Sequence, residues 1–89
     1  HLIRYEDLMQ DTEATLRGML GYLELDASDA VVDGTIARAS EENENSRRHR
    51  TSAGAGASIA RWKQSLSPSV QAVCNDVYAD VLEQFGYAV

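Results

Sequence analysis

The clearest hydrophobic pattern lies at the C-terminal end of the chain. Val70, Val73, Cys74, Val77, Tyr78, Val81, Leu82 and Phe85 recur at the three- and four-residue spacing that gathers side chains on one helical face. Ser67-Pro68 offers an N-cap followed by a proline at the first helical position, where its missing N–H costs nothing, and Gly86 marks the stop. Upstream, Leu16, Met19, Leu20 and Leu23 repeat at i, i+3, i+4 and i+7 behind Asp11, a plausible N-cap, and predict a second helix. Gly18 and Gly21 weaken that helix by ~1 kcal/mol each relative to alanine, which suggests close packing or an early end. A third, thinner apolar face, Val31, Val32, Ile36 and Ala39, predicts a helix that Ser28 caps and that ends near Ser40. At the start, His1 to Tyr5 reads as the end of a short buried strand, parallel in type, that stops at Glu6 and Asp7 and against which the Asp11 helix should pack.

From Glu41 to Ala57 no periodicity survives, and the composition is that of a loop: polar, then basic, then small residues. The segment Ser58-Ile59-Ala60-Arg61-Trp62-Lys63 reads as the start of a short helix. A lone buried strand has no hydrogen-bonding partner within 89 residues, and unpaired buried backbone groups are expensive. The expectation is therefore a piece of a larger domain whose sheet lies elsewhere, in keeping with a chain that opens on His1 rather than methionine. No internal repeat is present.

Composition narrows the chemistry. At 89 residues the chain is too short for two independent domains. One cysteine, Cys74, excludes an internal disulfide and any multi-cysteine metal site, and its place in the apolar stripe favours an inert thiol. His1 and His49 have no helical metal-ligand spacing, so no metal is expected. No apolar run reaches the ~20 residues a membrane helix needs.

Charge is distributed unevenly. The net charge of −6 divides into −8 from His1 to Ser46, +5 from Arg47 to Lys63, and −3 from Asp76, Asp80 and Glu83. An acidic chain with one confined basic stretch is not a general nucleic-acid binder, and a bound anion fits better. Arg50-Thr51-Ser52 offers a guanidinium able to grip a phosphate with paired hydrogen bonds, two hydroxyl donors, and the glycines Gly54 and Gly56 close behind, with Arg61 and Lys63 adding charge. The plainer reading is that Arg47, Arg48 and Arg50 balance Glu41, Glu42 and Glu44 on a solvated loop. Trp62 reads either as an anchor for the loop's exit or as a stacking platform for a base. Neither a GxGxxG fingerprint nor a GxxxxGK[ST] loop is present, and Glu6 and Asp7, adjacent on a strand, would point to opposite faces and make a poor acid–base pair.

Taken in order, Arg4-Tyr5-Glu6-Asp7-Leu8, His49-Arg50-Thr51-Ser52, Ser58-Ile59-Ala60-Arg61-Trp62, Leu66-Ser67-Pro68 and Phe85-Gly86-Tyr87 resemble the C-terminal third of sulfotransferases that use 3'-phosphoadenosine 5'-phosphosulfate (PAPS), especially their bacterial branch. The resemblance runs along essentially the whole chain and makes residues 1–89 one C-terminal segment of a single domain. It implies a three-layer α/β fold with a mostly parallel, P-loop-like sheet, to which this segment contributes mostly helices and the N-terminal strand. It also implies transfer of a sulfuryl group from PAPS to a hydroxyl or amine of a small-molecule or carbohydrate acceptor, in the cytoplasm and without a metal.

The residue roles come from the same resemblance. Tyr5 matches the tyrosine beside the adenine, against the alternative of a core aromatic; Arg50, Thr51 and Ser52 match the loop that wraps the nucleotide and its 3'-phosphate; Arg61 matches a basic residue near the phosphates. Ser40 to Asn43 roughly matches a stretch that passes over the adenine in some members. Where the cytosolic branch has Arg-Lys-Gly, this chain has Arg50-Thr51-Ser52, without the lysine and the close-approach glycine. The family's phosphate loop with its catalytic lysine and its general base belong N-terminal to His1, so none of these 89 residues is catalytic and the segment alone is expected to be inactive. The rest of that domain is the implied partner. A mainly helical interaction module with no enzymatic role is the competing reading.

Overall fold

The computed structural model describes residues 1–41, 44–50 and 54–88. In chain order its helices are α1 (Tyr5–Gln10), α2 (Thr12–Tyr22), α3 (Asp29–Ser40), α4 (Glu44–Arg48), α5 (Ala55–Ser58), α6 (Trp62–Ser65), α7 (Pro68–Val77) and α8 (Ala79–Gln84). The chain divides into two units, His1–Gly56 and Ala57–Val89.

This corrects the α/β expectation. Among the described residues there is neither strand nor sheet, and Tyr5, expected at the end of a strand, is the first residue of α1. The reason is local. A strand must borrow its hydrogen bonds from a neighbour, whereas a helix closes its own, and this chain has no second segment of strand character. Glu6 and Asp7, read as the strand's stop, instead occupy the first turn of α1, where negative charge is favoured by the helix dipole. The 41–57 segment also departs from a simple loop, because Glu44–Arg48 and Ala55–Ser58 form single short helical turns. Ser58 ends a helix rather than beginning one, and the next starts at Trp62.

In the first unit α1, α2 and α3 pack in succession. Asp11 turns the chain between α1 and α2: its backbone (φ −139°, ψ 69°) leaves the helical region and its carboxylate accepts the Ala14 N–H at 3.2 Å, the cap expected of it. Thr12 Oγ1 donates to the Leu8 carbonyl at 2.7 Å and Thr15 Oγ1 to the Asp7 carbonyl at 3.1 Å, which also accepts the Asp11 N–H at 2.9 Å, so α2 closes onto the end of α1. His1 stacks on Tyr22, with ring centroids 5.0 Å apart. The buried apolar side chains of the described residues are Leu16 on α2 and Val32 on α3. Arg17 holds the corner between these helices. Its guanidinium donates to the Ala27 carbonyl at 2.6 Å, to Asp29 at 2.8 Å and to Glu13 at 3.1 Å. Ser28 stands at the N-cap of α3 but makes no side-chain cap; its N–H donates to Asp26 Oδ1 at 2.9 Å. That bond, with one from the Ser28 hydroxyl, holds the Asp26 carboxyl below the usual carboxylate range.

The second unit is organised by the terminal stripe. Ser67 Oγ accepts the Val70 N–H and Pro68 takes the first helical position, as expected. Tyr78 (φ −107°, ψ 12°) divides the stripe into α7 and α8, although the Tyr78 N–H still reaches Cys74 O and the Leu82 N–H reaches Tyr78 O, both at 2.9 Å. None of the described residues of this unit is buried, and Val73 and Val77 are 61% and 65% exposed.

Helices α2 and α8 end in the same way. After α8, Gly86 (φ 74°) donates to the Glu83 carbonyl and Tyr87 to Leu82; after α2, Glu24 (φ 58°) donates to Gly21 and Leu25 to Leu20. Both are paired 5→2 and 6→1 closures with a left-handed residue after the cap, and each brings an apolar residue back over the last turn. Only the α8 closure uses glycine. Glu24→Gly is therefore expected to stabilise the protein by about 0.5–1 kcal/mol, since it removes the left-handed penalty without touching a contact; a lower thermal midpoint would contradict this. Ser67→Ala should cost about 1 kcal/mol and lower helicity by circular dichroism, because it removes the acceptor for Val70.

Candidate anion-binding site

Of the residues expected to hold an anion, Arg50 and Arg61 are described and flank helices. Arg50 follows α4, is exposed, and its backbone N–H donates to the Arg47 carbonyl at 3.3 Å, closing a turn. Thr51 and Ser52, and part of the Ser40–Asn43 stretch, lie outside the described residues. Arg61 is exposed in the second unit, between Ala60 and α6. Ala60 has a left-handed backbone (φ 54°), a costly conformation for a residue with a Cβ, and its carbonyl accepts the Lys63 N–H at 3.0 Å. The Arg61 carbonyl accepts from Gln64 and Ser65, each at 3.0 Å, so the backbone that carries the Arg61 guanidinium is fixed on its C-terminal side.

Tyr5 is 49% exposed at the start of α1, neither a core aromatic nor a strand residue. Trp62 is 39% exposed, and Lys63 Nζ lies 5.6 Å from its ring centroid. Tyr5 and Arg50 belong to the first unit and Arg61 to the second. Two open clefts lie in the first unit, one lined by Asp11, Glu13 and Arg17 and another by His1, Ile3 and Asp7.

Several basic residues are already committed to carboxylates. Arg48 pairs with Glu44 at 2.7 Å across one helical turn, the charge balancing that the plainer reading of this stretch anticipates. Arg17 is tied to Glu13 and Asp29, which together raise its pKa. Arg4 grips Asp7 with a two-pronged fork, Nε to Oδ2 at 2.9 Å and Nη2 to Oδ1 at 2.8 Å. Sequence reasoning missed these two arginines. The Arg4–Asp7 spacing of three was a readable helical signal once residues 5–10 are taken as a helix, and so was Glu13–Arg17 at four, whereas Asp29 and the Ala27 carbonyl reach Arg17 through a turn that no periodicity reveals. Cys74 is partly buried on α7, and among the described residues no group of three or more histidine, cysteine or acidic side chains is arranged to hold a metal ion.

A scan of protein-family models gave no match, and searches of curated proteins and of solved structures gave no significant one. Among the described residues no helix is long and apolar enough to cross a membrane.

The fork fixes a pH dependence. The Arg4 hydrogen bonds, aided by its charge, hold the Asp7 carboxyl below its usual range against a smaller opposing effect of desolvation. A depressed carboxylate stabilises the folded state at pH values above its ordinary pKa, and that contribution disappears as the pH falls through the lowered folded value. Arg4→Ala should return Asp7 to ordinary carboxylate titration, read by NMR of its side-chain carboxyl, and should weaken the acid-sensitive part of α1 stability. An unchanged Asp7 titration would show that the fork does not persist in solution.

Proposed function

We propose that the chain is the C-terminal portion of a PAPS-dependent sulfotransferase, in which it supplies part of the cradle for the sulfuryl donor. The observation that carries this reading is the order of five motifs along one chain, from Arg4-Tyr5-Glu6-Asp7-Leu8 through His49-Arg50-Thr51-Ser52 and Ser58-Ile59-Ala60-Arg61-Trp62 to Leu66-Ser67-Pro68 and Phe85-Gly86-Tyr87. The exposure of Tyr5, Arg50 and Arg61 is compatible with ligand contact. In this reading Arg50, Thr51 and Ser52 hold the 3'-phosphate side of the nucleotide, Arg61 adds charge near its phosphates, and Tyr5 lies against the adenine.

The reaction moves a sulfuryl group from the phosphosulfate to an acceptor hydroxyl or amine, a small molecule or a carbohydrate, and leaves 3'-phosphoadenosine 5'-phosphate (PAP). By analogy with phosphoryl transfer, positioning and stabilisation of spread negative charge do most of the work, which is a task for guanidinium and backbone donors. The reacting groups themselves, a lysine-bearing phosphate loop and a general base, are assigned to the portion of the domain that precedes His1. That portion is also the proposed cover for the apolar face of α7 and α8, and the setting is cytoplasmic.

A second reading is favoured by one observation. The stripe of Val70, Val73, Val77 and Val81 is exposed, as in a helical module that docks on another protein. PAP binding to the full-length protein that carries these residues separates the two. Under the first reading PAP binds, and Arg50→Ala weakens it about 10- to 100-fold, the loss of one charge-assisted contact of about 1.5–3 kcal/mol. PAP binding unaffected by Arg50→Ala removes Arg50 from the site, and no PAP binding at all leaves the interaction module.

A further inference from the structure

We draw no further inference here: the strongest candidate, the exposed apolar stripe of Val70, Val73, Val77 and Val81 along α7 and α8, is already taken up in the proposed function, and nothing in the structure shows what covers it.

Discussion

Every backbone N–H and C=O that leaves water needs a partner, and in this chain the partners come from nearby in sequence. The bonds that organise it run from Asp11 to Ala14, from Thr12 and Thr15 back to α1, from Ser67 to Val70, and from Gly86 and Tyr87 back to α8. Burial contributes much less, with Leu16 and Val32 as the buried apolar side chains of the described residues. A fold that relies on local closure favours helices, because a sheet needs a second strand before the first one gains anything. The N-terminal residues follow that constraint. Leu2 and Ile3 precede a helix, and the acidic pair behind them becomes its first turn.

The same constraint explains which features were legible in the sequence. Asp11, Ser67-Pro68 and Gly86 mark helix ends through chemistry contained in three or four residues, and all three behave as read. Glu24 could not be found that way, since glutamate carries no preference for the left-handed region that it occupies. The division of the terminal stripe at Tyr78 was equally hidden, because the apolar period continues across it. In 41–57 the helical turns are too short to show a period. The strand was misread because Leu2 and Ile3 have strand composition, and composition says nothing about the partner a strand requires.

For the candidate site, residue types were legible but commitments were not. Eight basic residues in a chain of this charge invite an anion, yet Arg4, Arg17 and Arg48 are engaged with carboxylates of the chain itself. Each of these arginines has a carboxylate three or four residues away on a helix, and Arg17 gains a further one where the corner before α3 delivers Asp29. Arg50 and Arg61 flank helices, after α4 and before α6. A turn residue aims its side chain by backbone conformation rather than by helical register, and the left-handed Ala60 immediately before Arg61 is such a device.

Under the sulfotransferase reading, the apolar stripe and the basic turn of the second unit are coupled. Burying a valine or phenylalanine fully stabilises by about 1.5–3 kcal/mol, so covering several half-exposed members of the stripe is worth several kcal/mol, a sizeable share of a domain's total stability of about 5–15 kcal/mol. That surface is carried by α7. Gln71 on its first turn donates Nε2 to the carbonyls of Leu66 at 2.7 Å and Lys63 at 3.0 Å, which ties α7 to α6 and to the turn that carries Arg61. A partner seated on the stripe would fix α7, and through Gln71 it would fix the backbone of α6 beside Arg61. Under that reading, the remainder of the domain would order the backbone beside Arg61 through α7 without touching the phosphate.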